Sequence, residues 1–357
     1  MESTGYDVQS DGELHGAVRS FSNLGMNADC SEKLRDLYAA TANSSYKDWE
    51  QTEAASQNLL NILGITPSAQ EAAFKQYLSH VLLAGHWDDA AKAAKERSDI
   101  QKPWVIVLSG ANGIRKTTSM YQPWFQALLH ESLTHSGQNP PAKEQLPTGH
   151  NSFFRQLDFM MGALANEYFR TLFQKAGNED DLKLYVSGKK EIFNKCRVWA
   201  EIWLLMLTQT AQKERMNVIV ETTGKDAAML DYVNRFFPAS DYHKLVIHFE
   251  ITDLTLAETS IETRTRKELL TGKAASGADD VAGLISSIAG GSTFGVDELH
   301  GIQEGSRKVW QTIVRGDCPS VDDSWHKAEI IITAQPDQPW TAGVSSTSPQ
   351  QHIFVRA

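Results

Sequence analysis

Residues 110–118 read Gly110, Ala111, Asn112, Gly113, Ile114, Arg115, Lys116, Thr117 and Thr118. The run matches the phosphate-loop spacing G-x-x-x-x-G-K-[ST] at every position but one. Arg115 stands where the second glycine belongs. Each residue type in the pattern has a chemical task. Small residues let successive backbone N–H groups curl round a phosphate, which also feels the positive end of the following helix. Lys116 adds a point charge for the β- and γ-phosphates, and Thr117 offers a hydroxyl to Mg²⁺. Arg115 either points away from the loop or stands as a second cation beside the phosphates. The competing reading is an ordinary strand-to-helix turn. As an exposed loop residue, Lys116 is expected to be removable with little cost to the fold.

Other residues can serve the same chemistry. Glu221 closes the apolar run NVIVE, 217–221, and leads into Thr222 and Thr223, so it can orient metal-bound water or hold an acceptor hydroxyl. Arg155 and Asp158 are three apart. On a helix they share a face and present a phosphate-clamping cation beside a proton acceptor, unless they form only an intrahelical ion pair. Arg264 and Arg266, in IETRTRKEL, can neutralise charge as a phosphoryl group moves, or belong to a solvated helix. Because they are two apart, only one of them is expected to face the phosphates. Ser152 and Thr222 complete the candidates on the acceptor side. His150, His243 and His248 are read as structural.

These residues need elements to position them. Trp104–Leu108 is an apolar run of strand length directly before the loop, and further strands are expected at Asn217–Glu221, His243–Ile251 and Ala328–Thr333. Helical spacing falls between them: 117–135 interrupted by Pro123, 152–173, 188–214, 227–236 and 256–270. Residues 271–306, rich in glycine, alanine and serine, read as a mobile stretch or insertion. Strands separated by helices imply a parallel sheet covered on both faces, with ligands at the strands' carboxyl ends. The loop at 110, Glu221 and the residues after 251 all fall there.

The expected organisation is a flexible arm at 1–28, a helical region at 29–102, an α/β domain at 103–335 and an unplaced tail at 336–357. In the helical region, Ser31 is expected to cap the first helix, and Ser68 with Glu71 to form a capping box. The chain has 357 residues, a net charge of −10 and no basic stripe, so nucleic acid and anionic membranes are excluded as expected partners. Cys30, Cys196 and Cys318 are too few and scattered for a disulfide framework. No leader or membrane-length apolar run is evident, and a cytoplasmic protein is expected. A protein partner can engage the N-terminal helices.

GANGIRKTT at 110–118, VIVETTG at 218–224 and the arginines at 264 and 266 together resemble the P-loop kinases of small molecules, particularly the zeta-toxin-like branch, over residues 103–335. The resemblance implies five parallel strands, ATP and Mg²⁺ on the loop, an arginine-bearing lid, and phosphoryl transfer to a hydroxyl of a small polar acceptor such as a nucleotide sugar. It also implies an acidic base in an Asp-x-Asp-x-Phe-Arg segment. Here the corresponding HNSFFR keeps Phe154 and Arg155 but has His150 and Ser152 where acids stand, and Asp158 is the nearest replacement. The same loop also serves NTPases and nucleotide-dependent switches, the alternative reading.

Overall fold

The computed structural model describes residues 12–66, 70–176, 182–288, 296–348 and 350–355. Five parallel strands form the sheet: β1 (Trp104–Ser109), β2 (Ser152–Phe154), β3 (Asn217–Glu221), β4 (His243–Ile251) and β5 (Trp325–Thr333). Two short strands, β6 (Thr341–Gly343) and β7 (His352–Ile353), continue it antiparallel, giving the order β2-β3-β1-β4-β5-β6-β7. All six residues of β1 are buried, as a central strand requires. The fold class is therefore α/β.

Helices α1 (Gly12–Asn23), α2 (Ala28–Thr41), α3 (Trp49–Ile62), α4 (Gln70–Ala84) and α5 (Trp87–Glu96) precede β1. After the loop come α6 (Lys116–Met120) and α7 (Phe125–His135), with Pro123 in the break between them. The connection from β2 to β3 carries α8 (Leu157–Leu164), α9 (Asn166–Lys175) and α10 (Leu182–Lys213), and α11 (Ala228–Phe236) joins β3 to β4. Between β4 and β5 lie α12 (Leu254–Gly277), α13 (Val281–Ser287) and α14 (Val296–Arg315). Among the described residues, no helix is long and apolar enough to cross a membrane.

Several expectations change. Residues 12–23 of the supposed arm form α1, which buries Ala17 and Phe21. The cap of α2 is Asn27, whose side chain accepts from the Cys30 N–H, and Ser31 lies inside the helix. Ser68 falls outside the described residues. The stretch 152–173 is not one helix: Ser152–Phe154 pairs with β3 before α8 begins. Within 271–306, the described residues form the end of α12, α13 and the start of α14, anchored by the buried Leu284, Ile285, Ile288 and Leu299. Alanine favours helix there, and glycine content alone misleads. The tail supplies β6 and β7.

Contacts divide the chain into two compact units built from interleaved segments. The first comprises Met1–Leu82, Gln156–Leu207 and Thr265–Ser292, and the second Leu83–Arg155, Thr208–Arg264 and Thr293–Ala357. In the first, Tyr38 stacks on Trp199 with ring centroids 4.4 Å apart and accepts a hydrogen bond from the Trp203 indole. The second contains the whole sheet, and its core spans Ile106, Leu108, Ile114, Leu128, Ile247 and Ile330 among others.

Candidate functional site

The glycine loop leaves β1 inside the second unit, and its shape follows from two glycines. Gly110 has φ +132°, and a Cβ there would lie 2.3 Å from the Phe249 carbonyl oxygen. Gly113 has φ +78°, and a Cβ would meet the Ala257 carbonyl oxygen at 2.8 Å and the Ile261 side chain at 2.7 Å. Both positions exclude any side chain. Among the described residues, none accepts a hydrogen bond from the backbone N–H groups of Ala111, Asn112 and Gly113. Three consecutive donors are thus left for something else. The loop is stitched to the exit of β3: Gly110 N–H donates to Thr223 O at 3.3 Å, and Thr222 N–H to Leu108 O at 2.9 Å. The Thr222 hydroxyl accepts from Gly224 N–H at 3.1 Å.

Arg115 adopts φ +63°, ψ +26°, the left-handed conformation that explains why glycine is expected at this place in the pattern. Its guanidinium turns away from the loop and lies over Trp340 and Phe354, 4.5 and 5.1 Å from the ring centroids. These aromatics come from the tail. The tail is fastened to the segment after the loop as well: the Gln122 amide accepts from Val355 N–H at 2.8 Å and donates to Val355 O at 3.3 Å, and the Trp124 indole donates to Ile353 O at 2.9 Å. Of the two orientations open to Arg115, the outward one is found.

Lys116 is buried, against the expectation of an exposed loop lysine. Its ammonium donates to Gly110 O at 3.0 Å and Ala111 O at 2.8 Å, and stands 3.1 Å from Glu221 Oε1. Thr117 donates to the other carboxylate oxygen at 2.6 Å. The register Leu108↔Glu221 places this acid at the tip of β3 beside the loop. Burial raises the Glu221 carboxyl, but Lys116, Thr117 and the more distant Arg264 outweigh it and hold it below the usual range. It is ionised at neutral pH. Its side chain is still 32% exposed, so a ligand can reach it. A hydroxyl and a carboxylate side by side, 2.6 Å apart, are hard oxygen donors of the kind Mg²⁺ takes, and three orphaned amides beside a buried ammonium suit a phosphate. The residues present fit both groups.

The remaining sequence candidates separate. Arg264 is half-buried on α12 and contributes to the field at Glu221, whereas Arg266 is exposed and belongs to the first unit. Thr118 lies in α6 behind Thr117. Ser152 is buried at the start of β2 in register with Asn217, the opposite end of β3 from Glu221. Four residues of strand, roughly 13 Å, separate those levels, so Ser152 is not at the loop. Arg155 directly follows β2, before α8 begins at Leu157, so it shares no helical face with Asp158. A buried guanidinium over the Tyr232 ring, 4.9 Å from its centroid, it anchors β2. Asp158, in the first turn of α8, belongs to the first unit, where its charge bears on Glu268.

Sequence reasoning missed a polar row running across the sheet from the loop. Ser109, His248 and Glu329 occupy one register level on β1, β4 and β5. His248 is fully buried, with Nδ1 3.4 Å from both the Ser109 and Ser306 hydroxyls and Nε2 3.4 Å from Glu250 Oε1, and Trp310 stacks on its ring. The alternation in HKLVIHFEI puts His248 and Glu250 on one face, which is a usable signal. Comparison with protein-family models, curated sequences and solved structures returns no match.

Proposed function

We propose that the chain is an ATP-dependent phosphotransferase that moves the γ-phosphoryl group to a hydroxyl of a small polar metabolite, with nucleotide sugars one class to test. The observation that carries the reading is the triangle of Lys116, Thr117 and Glu221, with 3.1 and 2.6 Å contacts to the two carboxylate oxygens, at the end of a loop with three orphaned amides. A β-phosphate would be held by the Ala111, Asn112 and Gly113 amides, with Ile114 and Lys116 closing the loop round it. Thr117 and Glu221 would hold Mg²⁺. ATP·Mg²⁺, when bound, supplies the phosphoryl donor and a divalent charge against its oxygens.

The protein's part is positioning and electrostatics, because this reaction asks for little covalent help. Lys116 keeps a desolvated positive charge beside the loop, and the depressed Glu221 carboxyl keeps a negative one for the metal. Arg264 is the arginine proposed to offset charge on the transferred group. Thr222 is proposed to line the acceptor side. The sequence candidate for proton acceptor, Asp158, belongs to the first unit and is given no part in this site, and Arg155, packed under Tyr232, is withdrawn from the acceptor site. A switch or simple NTPase would use the same triangle without an acceptor.

The test is incubation with ATP·Mg²⁺ and an extract of polar metabolites, read by mass spectrometry. ADP should accumulate together with a phosphorylated small molecule, and Lys116→Met should produce neither. ADP without a phosphorylated acceptor would favour the NTPase or switch; no turnover with any extract would remove the phosphotransferase reading.

A further inference from the structure

On the face of the sheet carrying the polar row, α14 borders an open groove of about 780 Å³ whose floor includes Glu250 and Glu329. Beneath them lies His248. One ring nitrogen or carboxylate oxygen from each of the three residues falls within 4.8 Å of the others. The placement is fixed by strand register: His248 and Glu250 are two apart on β4, and Glu329 lies opposite His248 on β5. We propose that His248, Glu250 and Glu329 form a site for a single divalent transition metal of the zinc and manganese class, separate from the Lys116–Thr117–Glu221 triangle and independent of the phosphotransferase reading.

Three features favour a metal over a closed hydrogen-bond network. First, the imidazole is oriented as a ligand should be. Nδ1 faces two hydroxyls, Ser109 and Ser306, and Nε2 faces the Glu250 carboxylate, the arrangement in which one nitrogen fixes the ring and the other binds. Second, the 3.4 Å from Nε2 to Glu250 Oε1 is as long for a hydrogen bond as the two Nδ1 contacts, and at this nitrogen it has a further meaning. It equals the edge of a tetrahedron with metal–ligand bonds of about 2.1 Å, which is roughly 3.4 Å. Third, one nitrogen and two carboxylates suit a borderline divalent ion, and the groove gives it solvent access for its remaining positions.

One group opposes the ion. Arg307 on α14 pairs with both Glu250 oxygens, at 2.7 and 3.1 Å. Its side chain is 46% exposed, so it can leave toward solvent without burying or stranding a charge. Arg307 thus occupies the place of the cation, and metal uptake must displace it. Glu329 must also close by a rotamer change, and its carboxyl gives up any hydrogen bond from the Trp310 indole.

The experiment uses the full chain, stripped with chelator and titrated with Co²⁺ followed by its visible spectrum, then with Zn²⁺ in competition. One Co²⁺ per chain is expected, displaced by Zn²⁺. Glu329→Gln, at the groove floor, should weaken binding by about tenfold or more, and His248→Asn should do the same if the variant folds. Arg307→Ala should tighten binding several-fold, because the competitor is gone; a purely structural ion pair would lose stability and gain no affinity. Glu221→Gln should leave this site unchanged. Absence of stoichiometric uptake, or uptake that Glu329→Gln leaves intact, would overturn the site; loss of uptake in Glu221→Gln would assign the ion to the loop instead.

Discussion

A single side chain shows how the site was built from an imperfect motif. Arg115 holds a left-handed backbone that costs an L-residue about 1–2 kcal/mol, and its guanidinium recovers part of this on Trp340 and Phe354, a contact of about 0.5–1 kcal/mol at a partly exposed position. Arg115→Ala keeps the strain and loses the contact, while Arg115→Gly loses both. Chemical denaturation should therefore find the glycine variant more stable than the alanine variant by about 1 kcal/mol. Equal stabilities would mean that the backbone conformation at 115 carries no strain. The motif was legible because Gly110, Gly113, Lys116 and Thr117 are local in sequence. The direction taken by Arg115 was not, because its partners lie more than two hundred residues away in a tail with no periodicity. Lys116 likewise read as exposed, since nothing local announces that Glu221 and two carbonyls enclose it.

Among the elements, long strands and helices could be read and short ones could not. His243–Ile251 and Asn217–Glu221 have apolar patterns of strand length, and both match the strands found. β2, β6 and β7 have two or three residues each, too few for any alternation, and exist because neighbouring strands pair with them. In the first unit α10 and α12 contribute a buried ion pair: Lys189 Nζ lies 2.7 and 2.9 Å from the two Glu268 oxygens, and Tyr185 donates to the same acid at 2.6 Å. Lys189→Met would strand a buried carboxylate, and a loss of about 3–5 kcal/mol is expected, largely recovered in Lys189→Met with Glu268→Gln. Burial raises the Glu268 carboxyl above its ordinary value of 4.5 even beside the lysine. The folded state holds that proton more tightly than the unfolded one. The favourable contribution is therefore present at low pH and is lost as the pH rises from about 4.5 through the raised value. Lys189→Met should enlarge this dependence in urea titrations at several pH values. A double variant no more stable than the single one would contradict the account of the pair.

For the molecule as a whole, the sequence shows an α/β chain but not its division. Each unit is assembled from three separate segments, and no composition change marks their ends, because the boundaries fall within helices such as α10 and α12. What the second unit does bring together is local in space: the loop, the tip of β3 and the half-buried Arg264. The central claim is that this arrangement holds a nucleoside triphosphate with its metal. Calorimetric titration with ATP, with and without Mg²⁺, tests it most directly. One nucleotide per chain should bind, more tightly with Mg²⁺; Lys116→Met should abolish binding, and Glu221→Gln should remove the Mg²⁺ dependence. No binding by the unaltered chain, or unchanged binding by Lys116→Met, would contradict the claim.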